Sequence, residues 1–205
     1  MTSAMHAQRL AAVEEALERS GARSVADLGC GDGDLLLRLA QTSRLDRIIG
    51  LDSSRTALER LRARLREREI DAQISLIHGS MLELSAIDGD IDCAVLLETI
   101  EHLPPHDLSR LERTVFLRMR PQTVIITTPN AEFNPLLGVP EHRFRHPDHR
   151  FEWDRARFRR WAEGVGSRNG YRVSLSPVAG AHPTLGGASQ MAVFAQSPSH
   201  ERRSA

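Results

Sequence analysis

The sequence contains no lysine: all 27 of its basic residues are arginine. Chemistry that needs an amine side chain, a Schiff base or the lysine of a phosphate loop, is therefore excluded. The absence itself reads as the codon bias of a GC-rich genome rather than selection for guanidinium chemistry. Cysteine is nearly as scarce, with Cys30 and Cys93 far apart in or beside apolar stretches. Two such residues make no disulfide framework and point to a reducing cytoplasm. Net charge is also lacking, since 27 basic residues balance 27 acidic ones. No whole-molecule field draws the chain to nucleic acid, so any such contact must come from a local patch. No apolar run approaches the ~20 residues of a membrane span. The N-terminal "MTSAMHAQRLAAVEEALERS" has no apolar core and reads as an amphipathic helix, not a signal peptide.

At 205 residues and 40% apolar content the chain suits one domain with a sizeable core. Short β-branched runs, "SVADLG" (24–29), "RIIGLD" (47–52), "ISLIHG" (74–79), "DCAVLLE" (92–98) and "TVIITTP" (123–129), read as strands. They are almost continuously apolar, as strands covered on both faces are. Helical patterns over 34–42, 54–69 and 107–119 separate them, and a further helix is expected over 154–167. Two more strands, 171–178 and 191–196, flank a Gly/Pro-rich loop. The alternation predicts an open, doubly wound α/β fold with a mostly parallel seven-stranded sheet. The expected domain spans 1–197, with an insertion at 130–153 and a disordered tail at 198–205. That insertion, "NAEFNPLLGVPEHRFRHPDHRFEW", has neither helical nor strand period, and irregular segments of such length are often functional.

The loop "VADLGCGDGDLL" follows the first strand and opens a helix. Gly29, Gly31 and Gly33 allow a tight turn and close backbone approach, while Asp27, Asp32 and Asp34 make the corner acidic. That argues against a pyrophosphate, and so against a nicotinamide-binding domain, and for a ligand with positive charge such as S-adenosylmethionine. Asp52, ending the second strand, is placed to accept from both hydroxyls of a ribose, and Ser80 lies near the adenine edge. The set resembles the class I S-adenosylmethionine-dependent methyltransferases over residues 20–130. The cofactor-binding residues are then Asp27, Gly29, Gly31, Asp34, Asp52 and Ser80.

"LLETIEHLPP" (96–105) ends the fourth strand at the sheet edge where ligands bind in such folds. On one helical turn Glu98, Glu101 and His102 would share a face, and two carboxylates with one imidazole suit magnesium or manganese. The plainer reading is that such residues only shape a pocket, and three ligands are few. The insertion offers His146 and His149 around Asp148. His146 is ranked below ligand status, His142, His106 and His182 read as solvent-facing, and Phe151 and Trp153 divide evenly between stacking on a base and packing the loop.

Together "ETIEHL", "TTPNAEFN" and "RHPDHRFEW", followed by "RARFRRWAEGVGSRNGYRVSLSPVAG", resemble the Hen1 small-RNA 3′-terminal ribose 2′-O-methyltransferases, from the glycine loop to about residue 180. The resemblance implies a divalent metal held by Glu98, Glu101, His102 and His149, chelating the 2′ and 3′ hydroxyls of the terminal ribose of an RNA. His102 or His149 would take the 2′ proton. Bacterial members carry a further N-terminal region that works with an RNA end-healing and ligating enzyme. It is missing here, so the resemblance implies an excised domain or a standalone form in RNA repair or end protection. For RNA contact, 141–160 holds seven arginines against four acids, with Arg143 and Arg145 the best placed. One rival is a quinone-type O-methyltransferase acting on adjacent phenol hydroxyls, which should show an apolar membrane-facing surface. The other is a silent scaffold domain, which the intact motifs oppose.

Overall fold

The structure is a computed structural model and describes residues 4–42, 44–83, 87 and 89–197. The expected tail, 198–205, lies outside the described residues. Strands β1 (Ser24–Leu28), β2 (Arg47–Asp52), β3 (Gln73–His78), β4 (Cys93–Leu97), β5 (Thr123–Pro129), β6 (Tyr171–Val178) and β7 (Ser189–Gln196) form one sheet in the order β3-β2-β1-β4-β5-β7-β6. The first five are mutually parallel. β7 enters antiparallel between β5 and β6, so the sheet is mixed, ending in an antiparallel hairpin. The connection reverses direction between β1 and β4, which opens a crevice at the carboxyl ends of those two strands.

The near-continuous apolar runs follow from burial on both faces. Alternate residues of one strand serve two separate cores: Val25, Ile48, Cys93, Val95 and Ile125 face one, and Ala26, Ile49, Ala94, Leu96, Val124 and Ile126 the other. Helices α1 (Ala4–Ser20), α2 (Asp34–Leu39) and α3 (Arg55–Arg66) cover the first face. Leu10, Val13 and Leu17 of α1 are buried at spacings of three and four, which confirms the amphipathic reading of the N-terminus. Helices α4 (Leu108–Glu112) and α5 (Arg155–Asn169) cover the second face. The helix expected over 107–119 is not uniform, because α4 runs into a π-helical stretch, Arg113–Met119, closed by Arg120 in the left-handed region at φ 48°. Side-chain oxygens fix two other starts: Ser54 accepts from Ala57 N at 3.2 Å before α3, and Asp154 from Arg157 N at 2.6 Å before α5.

The irregular insertion is closed at its neck. Asn130 and Trp153 form a parallel β-bridge, and Ala131 N donates to Trp153 O at 3.1 Å. Within it, Ala131–Leu137 forms 3-10 turns started by Asn130, whose Oδ1 accepts from Glu132 N. Phe151 and Trp153 are buried and stack on each other, with ring centroids 4.3 Å apart. The packing reading of these aromatics therefore holds, and the base-stacking one does not.

Candidate active site

The glycine loop leaves β1 with two positions that tolerate no side chain. A Cβ on Gly29 would stand 2.5 Å from Thr99 Cγ2, and one on Gly33 2.2 Å from Leu61 Cδ1; both residues also have positive φ. Gly31 serves differently, its N–H donating to Asp52 Oδ2 at 2.7 Å. Ser54 N donates to the other oxygen, Oδ1, also at 2.7 Å, so two backbone amides orient the Asp52 carboxylate. Asp27 is buried at the end of β1, and burial, then the nearby Asp52 charge, push its carboxyl up to about 7.

The acidity expected of this corner is largely compensated. Asp32 pairs with Arg60 of α3 at 2.7 Å, and Asp34 with Arg64 at 3.0 Å and His6 at 3.2 Å. Partial burial raises the Asp34 carboxyl, but the bonds from Arg64 and His6 prevail and hold it below its ordinary range. Among the described residues, Asp27 alone of the three acids has no such cation. α1 adds a positive group that the sequence reading did not weigh. Arg9 lines the hollow bounded by Asp27, Gly29, Gly31 and Asp34. That hollow meets a second, bounded by Asp52, Ser80, Glu98 and His102, and the two share Gly29, Leu97 and Glu98 as one cleft.

β4 delivers the acidic corner to this cleft. Glu98 sits in the left-handed region at φ 51°, uncommon for a residue with a side chain. Its N–H donates to Thr127 O and Oγ1 of β5. A single 3-10 turn, Ile100–His102, follows, so Glu98 lies outside the helical turn on which the shared face was expected. Glu98 Oε2 accepts from Ser189 Oγ at 3.0 Å and lies 3.6 Å from Arg9 Nη1. Glu101 is fully buried, and its Oε2 accepts from Thr128 Oγ1 at 3.0 Å. Burial, then the charge of Glu98 and more weakly that of Glu152, lift the Glu101 carboxyl well above its ordinary range. Glu98 Oε1 and Glu101 Oε1 are both buried without a hydrogen-bond partner.

The insertion folds over this corner, and Arg150 N donates to Glu101 O at 2.7 Å. It brings His146 and His149 to His102, so that one ring nitrogen from each lies within 4.8 Å of the others. Glu98 and Glu101 stand outside that compact trio, whereas His146, ranked low from sequence, is inside it. His149 Nδ1 lies 2.6 Å from Glu152 Oε1. Burial raises the Glu152 carboxyl, but bonds from His149, Asn134 and the Arg145 amide outweigh it and keep it ionised. An ionised carboxylate at Nδ1 assigns a proton to that nitrogen and fixes the orientation of the ring. Burial, then His149 and His146 beside it, lower the His102 pKa, so that ring is neutral near pH 7. The three imidazole nitrogens form a donor cluster that a divalent cation would satisfy, and the partnerless oxygens of Glu98 and Glu101 are further donors of the right chemistry on the adjoining turn. No sequence period marks Glu152; its only signal was a carboxylate three residues after a candidate ligand.

Of the two arginines favoured for phosphate contact, Arg143 is exposed and makes no side-chain bond among the described residues. Arg145 turns inward, donating to Asn134 Oδ1 and Ala188 O at 2.5 Å each and to Asn130 O. Its fork joins the insertion to Ala188, just before β7, and to the neck, so its placement corrects the expectation of a phosphate contact. Arg155 pairs with Glu132 at 2.6 Å, and Arg157 lies over the Trp153 ring.

A family model described as a methyltransferase domain matches residues 25–122. The chain is 36% identical to the Mus musculus small RNA 2′-O-methyltransferase over 85% of this chain and 46% of that protein. The Gallus gallus small RNA 2′-O-methyltransferase is 37% identical over 94% of this chain and 54% of its own length. The chain thus spans about half the length of the curated relatives it matches. Among solved structures, the methyltransferase domain of bacterial CtHen1-CN superposes with a TM-score of 0.82 at 36% identity, over 93% of this chain and 99% of that one. The small RNA methyltransferase HEN1 gives 0.85 at 34% identity, over 94% of this chain and 25% of the other.

Proposed function

This chain belongs to the Hen1-type small RNA 2′-O-methyltransferase family, and from that premise we propose that it moves a methyl group from S-adenosylmethionine to the 2′ hydroxyl of the 3′-terminal ribose of an RNA, with a divalent metal, manganese or magnesium, at the site. One observation carries the reading: ring nitrogens of His102, His146 and His149 gather within 4.8 Å of one another, and His102 lines the same cleft as Glu98. Glu98, Glu101, His102 and His149 would hold the metal, with His146 alongside. A bound ion there would supply Lewis acidity to a ribose hydroxyl. Glu152 holds the His149 ring by its Nδ1 proton, and an imidazole not engaged as ligand receives the proton of the 2′ hydroxyl. Recognition then rests on the ribose rather than the base. Loss of the free vicinal diol protects an RNA end, and end protection or repair is the setting we propose.

On the cofactor side, Asp52 takes both ribose hydroxyls, the Gly29–Gly31 backbone lies along the ligand with Asp34 behind it, and Ser80 meets the adenine edge. Asp27 receives the ammonium group, and Arg9 the carboxylate. The raised Asp27 carboxyl gives this a pH signature. Its pKa moves from the ordinary 3.8 to about 7, so the free protein holds a proton there that the unfolded chain has lost. That contribution to stability is full below the ordinary value and is lost as pH rises through 7. An arriving ammonium favours the carboxylate and expels the proton. Cofactor binding at pH 6 should therefore release a proton, read as a dependence of calorimetric heat on buffer, and Asp27→Asn should abolish it. A heat independent of buffer in the unaltered protein would remove Asp27 from this role.

The main test is mass spectrometry of a synthetic RNA after incubation with cofactor and manganese. One methyl should appear on the terminal nucleotide, none on an RNA ending in a 2′-deoxynucleotide, and none after chelation by EDTA. Methylation of the deoxy end would refute the ribose assignment, and activity in EDTA the metal.

A further inference from the structure

The insertion carries more large apolar side chains than its packing uses. Phe133, Phe151 and Trp153 are buried at 4–6% exposure and suffice to seat it on the domain. Phe144 is 47% exposed, and Leu136 and Leu137 are 52% and 38% exposed. The Phe144 ring does not hang from a loose loop. Arg143 N donates to Pro140 O at 2.9 Å on one side of it, and Arg145 N to Glu152 Oε1 at 2.7 Å on the other. The Arg145 fork then fastens that backbone to Asn134, Asn130 and Ala188. Asn134, which opens the last turn before Leu136 and Leu137, also donates to Glu152 at 2.6 Å, so both apolar stretches hang from one polar knot. A rigid backbone that holds an aromatic ring out into water is preorganised for a ligand.

The surroundings indicate what that ligand is. His146 of the imidazole trio lies two residues beyond Phe144, within about 7 Å along the chain. Arg143 and Arg150, both exposed, make no side-chain ion pair among the described residues, whereas Arg155 and Arg159 of the following helix are paired with Glu132 and Glu163. An exposed flat apolar ring in one short segment with exposed, unpaired guanidinium groups, one residue before it and six after, is a combination that binds single-stranded nucleic acid: bases stack on the ring and phosphates take the positive charge. We propose that Phe144, extended by Leu136 and Leu137, is the platform on which a base of the last two nucleotides of an RNA stacks, with Arg143 and Arg150 taking the adjoining phosphates. The inference rests on the RNA reading of the site. It adds an affinity for the base face that is indifferent to base identity, consistent with a site that reads ribose.

The test is equilibrium binding of a short labelled RNA, measured by fluorescence anisotropy and so independent of methyl transfer. Phe144→Ala should weaken RNA binding by roughly ten- to a hundredfold, while affinity for the cofactor, read by calorimetry, stays unchanged and reports an intact fold. Phe144→Trp should retain RNA affinity, and RNA should quench its fluorescence above that of the native tryptophans. An RNA abasic at the terminal or the next-to-last nucleotide should bind the unaltered protein weakly, and Phe144→Ala should then cost nothing further at that position. Unchanged RNA affinity in Phe144→Ala would overturn the platform. So would a change from dimer to monomer in that variant without loss of RNA affinity, since a second copy would then be what covers the ledge. RNA that binds through Phe144 but is never methylated would leave the platform standing and refute the catalytic reading instead.

Discussion

Replacing His149 by alanine is expected to lower methyl transfer to an RNA 3′ end by on the order of a thousandfold, about 4 kcal/mol of transition-state stabilisation. The size follows from what the ring joins. Its Nδ1 is fixed by Glu152 at 2.6 Å, and a ring nitrogen lies within 4.8 Å of one on His102 and one on His146. Without the ring, a buried ionised Glu152 loses a donor and the ligand set loses an imidazole. Glu152→Gln leaves the ring in place but removes the charge that fixes its tautomer, so its effect should be milder, roughly 10–100-fold in metal affinity. Manganese binding followed by electron paramagnetic resonance, beside single-turnover methylation, separates the two. A His149→Ala protein that works within tenfold of the unaltered one would exclude this residue from the site.

Glu101→Gln should lose activity and gain stability at once. The native carboxylate is fully buried, faces the charges of Glu98 and Glu152, and has one oxygen bonded to Thr128 and one bonded to nothing. An amide keeps the acceptor for Thr128 and turns an N–H₂ toward those carboxylates. The variant, free of metal, should be more stable by about 1–3 kcal/mol, the cost of a buried polar group without a partner. The sign of the pH dependence follows from the raised pKa. Folded Glu101 keeps its proton where the unfolded chain has lost it, so ionisation disfavours the fold and the unaltered protein weakens as pH rises. The gap in melting temperature between variant and unaltered protein should therefore widen with pH. Added manganese should close it by stabilising only the protein that retains the carboxylate. A variant less stable than the parent at every pH would mean that Glu101 is held for packing rather than for a cation.

Much of this was legible in the residues because it depends on local periods. Continuous apolar runs such as "TVIITTP" declare strands covered on both faces, and Asp52 at the end of "RIIGLD" lies where a parallel strand must leave it. The glycine loop announced itself through Gly29 and Gly33, and contact with Thr99 and Leu61 gives the reason. Features that depend on direction across the fold were not legible. Nothing in 171–196 says that the last strand slips between its neighbours, since hairpin and crossover share one alternating pattern. The inward turn of Arg145 and the approach of His146 to His102 are set by side-chain directions in a segment with no period, 44 positions apart in the second case. The pairing of Asp32 and Asp34 with Arg60 and Arg64 was hidden likewise, because a helical pattern over 54–69 does not say which of its arginines reach back to the glycine loop.

The bridge between Asn130 and Trp153 makes the segment between them a detachable cassette. Its two ends already touch, so a change of length that spares Glu132, Arg145 and Phe151 should leave the register of β5 and the start of α5 in place. Doubling such a loop costs only about 0.6 kcal/mol in closure entropy. Selection could therefore rewrite what this scaffold grips while leaving how it holds its methyl donor untouched. The proposed metal site is shared between two mechanical parts, the turn after β4 with Glu98, Glu101 and His102 and the bridged segment with His146 and His149, and a chimera that exchanges 131–152 between two such proteins should carry with it the part of the acceptor preference that the segment sets.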